Sequence, residues 1–213
     1  HQPSLQGPVV LGIYNEEMVD LGLLMRYGAR TQRILSNEVI FREGDDANFF
    51  HQVVAGSVKL VTYTENGREF IQGVFEDGES FGEPPLFCQI HYPSTAMAIE
   101  PTTLVKIPKD RFLDLLRENF EVHLKLDQSL CERLKYKSMV LANIAGSDPE
   151  QRIWNLLKYL KKRDGGGKQP TKIPYTRQQL ADMSGLRVET VIRTVTKMAS
   201  DNKIKLEEHK NLV

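Results

Sequence analysis

Residues 175–204 read YTRQQLADMSGLRVETVIRTVTKMASDNKI, and two helices joined by a tight corner are legible in them. Thr176 with Gln179 three residues on forms a capping box: the hydroxyl takes a free helical amide, and the glutamine reaches back to the cap. A helix therefore starts at Thr176. Ala181 is small, as needed where two helices cross closely. Gly185, four residues later, permits the positive φ of a tight turn. A second helix is predicted from about Val188 to Ala199. Val188, Val191, Val195 and Met198 line one of its faces; Glu189, Thr190, Arg193 and Lys197 occupy the other. Thr194 stands where packing would usually ask for an aliphatic residue.

The pattern is that of a helix-turn-helix with a polar reading face. Arg193 can present its planar fork to O6 and N7 of guanine in a major groove. Glu189, one turn earlier, can accept from the N4 amino group of cytosine or orient Arg193 as an i,i+4 partner. Thr190 suits a thymine methyl or a phosphate. Thr176, Arg177 and Lys197 are candidates for phosphate contacts, which position a protein without specifying sequence. Residues 202–213, NKIKLEEHKNLV, read as a hairpin wing. The plain alternative is a helix pair whose Glu189–Arg193 contact is a surface ion pair worth roughly 0.3–0.5 kcal/mol. The capping box, the Ala-to-Gly spacing and the local charge together favour DNA.

That charge is concentrated at one end. The whole chain balances 28 Lys and Arg against 28 Asp and Glu, but residues 147–213 hold 14 basic against 8 acidic residues. The preceding part carries the compensating acidic excess. A basic end on an acidic body suits contact with a polyanion.

Upstream, GSDPE at 146–150 breaks the chain and sets an expected boundary between a domain of residues 1–145 and one of 146–213. A helix, QRIWNLLKYLKKR, follows it; DGGGKQPTK is then a turn and KIPY a short strand. Before the boundary, KDRFLDLLRENF is helical, and about 119–145 continues without Gly or Pro. Leu126, Leu130, Leu134, Leu141 and Ile144 recur there at helical spacings as one apolar stripe, interrupted by Lys137. A helix of this length suits a dimer seam, with packing on its own domain as the alternative. From about Arg33 to Ile107, segments such as SVKLVTYT and EFIQGVF alternate with turns such as EGDDAN, ENGRE and EDGES, the pattern of a sandwich, roll or barrel. NEEMVDLGLLMRYG, ahead of the strands, is expected to be helical, capped by Asn15 with Glu16 and Glu17 at its positive end.

Taken in order, these segments resemble the CRP/FNR family of bacterial transcription regulators. EGDDANFFHQVVAGSVKL, with Gly44 and Gly56, is similar to the family's first β-roll signature. GREFIQGVFEDGESFGE, with Gly67, Gly78, Gly82 and Glu83, is similar to the second, and RVETVIR resembles the core of its recognition helix. The resemblance implies an α+β fold: an N-terminal double-stranded β-helix (a cyclic-nucleotide-binding-like β-roll), a long dimerisation helix and a C-terminal winged helix-turn-helix. It further implies a homodimer on double-stranded DNA and contact with RNA polymerase. Val188-Glu189-Thr190 followed by Arg193 is similar to the FNR branch, which implies a TTGA rather than a GTGA half-site.

The resemblance also directs attention to SFGEPPLFCQIHYPSTA, residues 80–96. In cyclic-AMP-binding members a Gly-Glu pair takes the ribose and a following Arg-Ser or Arg-Thr neutralises the cyclic phosphate. Gly82 and Glu83 match. The arginine position falls on Tyr92 or Pro93, which supply no charge, and Pro93 lacks even an N–H. Ser94 and Thr95 retain hydroxyls. On the long helix, Lys137 and Ser138 stand where those members use Thr and Ser to meet adenine. The expected effector pocket is therefore Gly82, Glu83, Tyr92, Ser94, Thr95, Lys137 and Ser138, and the set argues against cyclic AMP. A charge-assisted bond lost from the phosphate would forfeit roughly 1.5–3 kcal/mol.

Other cofactors fit less well. An FNR-type iron–sulfur cluster needs four thiolates, and the chain has two cysteines, Cys88 and Cys131. Haem would need an axial ligand from His51, His91, His123 or Cys88, of which His91 lies beside the cradle. A cupin-like metal enzyme would need clustered His and Glu; His51, His91 and Glu83 are scattered and no His-x-His occurs. No apolar run approaches a membrane span, and the sparse cysteines suit a cytoplasmic protein. The expectation is a DNA-binding regulator, not an enzyme, whose roll takes an unidentified small effector or none; the alternatives are a cyclic-AMP-responsive regulator and, behind it, the cupin-like metal enzyme.

Overall fold

The computed structural model describes residues 17–63, 65, 67, 69–146, 148–163 and 175–204. A short helix α1 (Leu21–Arg26) leads into eight strands: β1 (Arg30–Ile34), β2 (Val39–Phe41), β3 (Phe49–Ala55), β4 (Val58–Tyr63), β5 (Glu69–Phe75), β6 (Ser80–Phe81), β7 (Thr95–Ala98) and β8 (Thr102–Pro108). The strands form two antiparallel sheets of four, ordered β1-β8-β3-β6 and β2-β7-β4-β5. They close on a shared apolar interior as a roll. Glycine is required at one of its corners: Gly56 has φ +102°, and a Cβ there would fall 2.9 Å from the Pro101 carbonyl oxygen.

The first helix begins later than NEEMVDLG suggests. Its cap is Asp20, whose carboxylate accepts from the Leu23 amide at 2.8 Å. Met18 and Val19 cannot be helical because their backbones are tied to the roll. Met18 N donates to Gly78 O at 2.8 Å, and the Gln52 side chain grips both polar groups of Val19 at 2.9 Å. Asn15 and Glu16 lie outside the described residues. The segment after Glu83 is a short helix, α2 (Pro84–Cys88), with prolines in the first-turn positions that need no N–H.

Alternation along β3 separates two layers. Phe50 points outward and stacks on Phe112 of α3 (Lys109–Glu118) at 4.0 Å. His51 and Val53 point inward among Phe41, Phe81 and Leu104. The long helix α4 (Phe120–Gly146) lies along the roll. Its single expected stripe is two. Leu126 and Leu130 pack into the cluster of α1 and α3, with Tyr136 and Val140 continuing that line. Leu134 and Leu141 face outward with Phe120, Leu124 and Cys131. Side chains at 142–146, Ile144 included, lie outside the described residues.

Beyond α4 come α5 (Pro149–Arg163), α6 (Arg177–Ser184) and α7 (Val188–Ser200). The turn at 164–172 and the KIPY segment up to residue 174 fall outside the described residues, as does the wing beyond Ile204. Helices α5–α7 do not float. Ile153, Leu160, Leu180, Ala181, Met183, Val191, Val195 and Met198 share one apolar cluster with Val61, Ile71 and Val74 of β4 and β5. The Tyr175 hydroxyl donates to Glu76 at 3.3 Å across the same contact.

Candidate functional site

The helix pair is built as its sequence dictates. Thr176 Oγ1 accepts from Gln179 N at 3.1 Å, and Gln179 Oε1 accepts from Thr176 N at 2.9 Å. Loss of such a cap costs about 1 kcal/mol. Gly185 has φ +70° and returns its N–H to Ala181 O, so the corner forms where only glycine sits without strain. Ala181 is fully buried at the crossing. On α7, Val191, Val195 and Met198 are buried and Thr194 is buried with them, so its hydroxyl faces inward. Glu189 and Arg193 are exposed, and Thr190 is half-buried beside them. Among the described residues, no part of the roll covers this face; the contacts to β4 and β5 use the opposite one.

The phosphate candidates divide. Thr176 is exposed at the start of α6 with its hydroxyl proton free to donate while the oxygen caps the helix. Arg177 is half-buried, and burial pulls its guanidinium below its ordinary value. Lys197, a candidate for phosphate contact, already has a carboxylate partner. Its amine lies 2.9 Å from Glu150 Oε2, and Lys203 pairs with the other oxygen, joining the end of α7 to the start of α5. A phosphate would have to compete with that carboxylate.

In the cradle, the missing cation comes from elsewhere in the chain. Glu83 is fully buried, and its Oε2 lies 2.8 Å from Arg133 Nη1 on α4. Arg133 Nη2 donates to Ser80 O at 2.6 Å, and the guanidinium lies 5.0 Å from the Phe75 ring centroid. Sequence reading passed over Arg133. The signal was its place one turn before Lys137 on the same side of α4 as Leu126 and Leu130.

Tyr92 closes the cradle from within. It stacks on Phe41 at 3.6 Å with an 8° interplanar angle, and its hydroxyl donates to Phe49 O at 3.2 Å. Burial, with Glu83 and Asp45 nearby, pushes its phenol well above the ordinary value. Gly82 is wedged beside the pair: a Cβ there would meet Phe41 at 3.1 Å and Tyr92 at 3.2 Å. Ser94 and Thr95 are buried, and Thr95 Oγ1 accepts from Glu43 N at 3.0 Å. Lys137 donates to Gln72 at 3.1 Å; burial and then the Arg133 charge hold its amine below the usual range. Ser138 donates to Leu134 O on its own helix. The structure thus brings Gly82, Glu83 and Tyr92 together and leaves Lys137 and Ser138 on α4 with partners of their own.

Three buried polar atoms have no hydrogen-bond partner among the described residues: His51 Nδ1, Ser80 Oγ and Glu83 Oε1. Burial, reinforced by Lys106, holds the His51 imidazole down at about 3, so it is neutral at ordinary pH. His91 instead lies at the surface, its Nδ1 3.0 Å from Asp46. Cys88 and Cys131 are both exposed. Neither Tyr92 nor Pro93, the two positions at which the resemblance expects the phosphate cation, carries a charge, and Arg133 is held by Glu83.

A β-roll of this topology, backed by a long helix and joined to an outward-facing helix-turn-helix, defines a DNA-binding regulator with a sensory domain. Comparison with known proteins agrees. The family profile described as "Cyclic nucleotide-binding domain" matches residues 31–119, and "Crp-like helix-turn-helix domain" matches residues 151–213. The cAMP-activated global transcriptional regulator CRP of Pasteurella multocida is 29% identical over 181 residues, 84% of this chain and 86% of that protein. The transcriptional activator protein FnrA of Stutzerimonas stutzeri is 24% identical over 193 residues, 89% of this chain and 79% of the relative. Among solved structures, the c-di-GMP-responsive global regulator CLP of Xanthomonas campestris shares the fold with a TM-score of 0.74 at 24% identity, covering 91% of this chain and 99% of that one. The chain belongs to the CRP/FNR family of transcription regulators. That family is one of regulators and not of enzymes, which removes the metal-enzyme alternative. No described helix is long and apolar enough to cross a membrane.

Proposed function

We propose that the protein acts as a homodimer on a palindromic TTGA-like site, with residues 1–145 sensing and residues 146–213 reading DNA. Glu189, Thr190 and Arg193 read bases; Thr176, Arg177 and Lys197 meet phosphates, Lys197 after release from Glu150. The observation that carries the reading is the exposure of Glu189 and Arg193 on a helix whose other face is fully packed. The outward row Phe120, Leu124, Cys131, Leu134 and Leu141 on α4 supports the dimer. These residues follow the three-and-four spacing of a two-helix seam, a row that water would otherwise cover.

The effector is a small molecule other than cyclic AMP, taken in or beside the roll; the activation by cAMP named for the Pasteurella relative does not carry over. Its binding biases the hinge near Gly146 so that both copies of α7 meet major grooves about 34 Å apart. Membership of the family supports contact with RNA polymerase and a cytoplasmic setting as parts of this proposal. Gel shifts on palindromes that differ only in the first base of each half-site test the site. Retention of the TTGA form over the GTGA form is expected, and the reverse order would reject it. Affinity should fall steeply with salt, since phosphate contacts release counterions.

A further inference from the structure

Within α6 and α7, the large apolar side chains are buried or half-buried with one exception: Ile192, 47% exposed. The exception lies on the face that reads. Helical periodicity places Ile192 one turn from Glu189 and one turn from Thr196, directly before Arg193. It flanks the Glu189–Arg193 row on one side, as Thr190 flanks it on the other. Glu189, Arg193 and Thr196 are all exposed. The apolar stripe that holds α7 to the rest of the chain is Val191, Val195 and Met198, and Ile192 has no part in it.

An aliphatic side chain offers neither donor nor acceptor to a base edge. The apolar feature of the major groove is the C5 methyl group of thymine. An isoleucine between two hydrogen-bonding readers, in the first half of a recognition helix, has one partner that its chemistry distinguishes. We propose that Ile192 is a specificity-determining residue that packs on a thymine methyl beside the bases met by Glu189 and Arg193. It adds an apolar element to a reading row that is otherwise polar. The inference rests on the DNA-reading role of α7 proposed above, but not on the identity of the half-site.

The test uses the full chain and whichever palindromic duplex it retains most tightly from a random-sequence pool. Each thymine is replaced singly by deoxyuridine, which keeps the base pair and removes only the methyl. The expected result is one position per half-site where the replacement weakens wild-type binding about fourfold, the factor that burying one methyl-sized group corresponds to, and about sixteenfold when both half-sites are changed. Ile192→Ala should bind thymine and uracil duplexes alike, with unchanged affinity for non-specific DNA and an unchanged melting temperature. Ile192→Val should show a reduced penalty, and it serves as the comparison should the alanine variant be unstable. Wild-type indifference to every uracil replacement overturns the inference, as does a penalty that survives in both variants. A wild-type chain that retains no duplex overturns the DNA-reading proposal and this inference with it.

Discussion

The helix pair of α6 and α7 and the cradle around Glu83 are both carried by short stretches of sequence, yet they differ in how they are completed. The helix pair takes its shape from its own residues, though its buried stripe also packs on α5 and the roll. Its cap, its corner glycine and its buried stripe lie within 25 residues of one another, Thr176 to Ser200. The cradle is completed from outside. Its glutamate meets Arg133, 50 residues away, and its aromatic wall is Phe41 stacked on Tyr92. A site whose reading residues are neighbours along the chain turns its chemistry outward, while its packed face leans on α5 and the roll. A site assembled across the fold can fill itself.

The largest expected effect tests the cradle. Arg133→Ala leaves the Glu83 carboxylate buried without its cation and should destabilise the protein by about 3 kcal/mol in denaturant unfolding. Glu83→Gln with Arg133→Met, which removes both charges, should recover most of that loss. A wild-type-like unfolding curve for Arg133→Ala would mean that the pair is not what completes the site.

A smaller effect tests the reader. Arg193→Ala should weaken specific binding by about 2 kcal/mol, roughly 30-fold, in fluorescence anisotropy, while the melting temperature stays unchanged because the side chain is exposed. The two substitutions should therefore separate: one lowers stability, the other lowers binding. Equal damage to stability by both would erase the contrast between the regions.

Per pH unit, the effect of pH is the smallest of the three. The folded protein holds His51 neutral down to about 3, whereas the unfolded chain protonates it near the ordinary histidine value. The unfolded state therefore binds the extra proton between those values, and stability falls as pH drops from about 6.5 toward 3. The slope from this residue is at most about 1.4 kcal/mol per pH unit. Urea titrations of wild type and His51→Phe across that window should diverge on the acid side and run parallel above pH 7. Parallel curves throughout would place His51 in contact with water.

The long helix shows where pattern reading stops. Leu126, Leu130, Leu134 and Leu141 sit at spacings compatible with one stripe, because three- and four-residue steps can be summed onto either side of a helix. The roll takes Leu126 and Leu130, and the other two are left facing away. The same helix surface that buries those leucines also delivers Arg133 to Glu83; periodicity puts that arginine on the packed side, but nothing local names its partner. The α1 boundary moved for a similar reason: Gln52 and Gly78 claim the backbone of Met18 and Val19 before a helix can use it.

By itself the sequence determined the capped helix pair and its Gly185 corner, the polar row on α7, the strand-rich body and the long helix. Each follows from capping, turn chemistry or periodicity among residues close along the chain. Only the tertiary structure decided that the cradle closes on Arg133 and Tyr92, that Lys197 answers to Glu150, and that α4 carries two apolar faces. Those outcomes depend on which distant surfaces meet, and burial then selects among pairings that local spacing leaves equivalent.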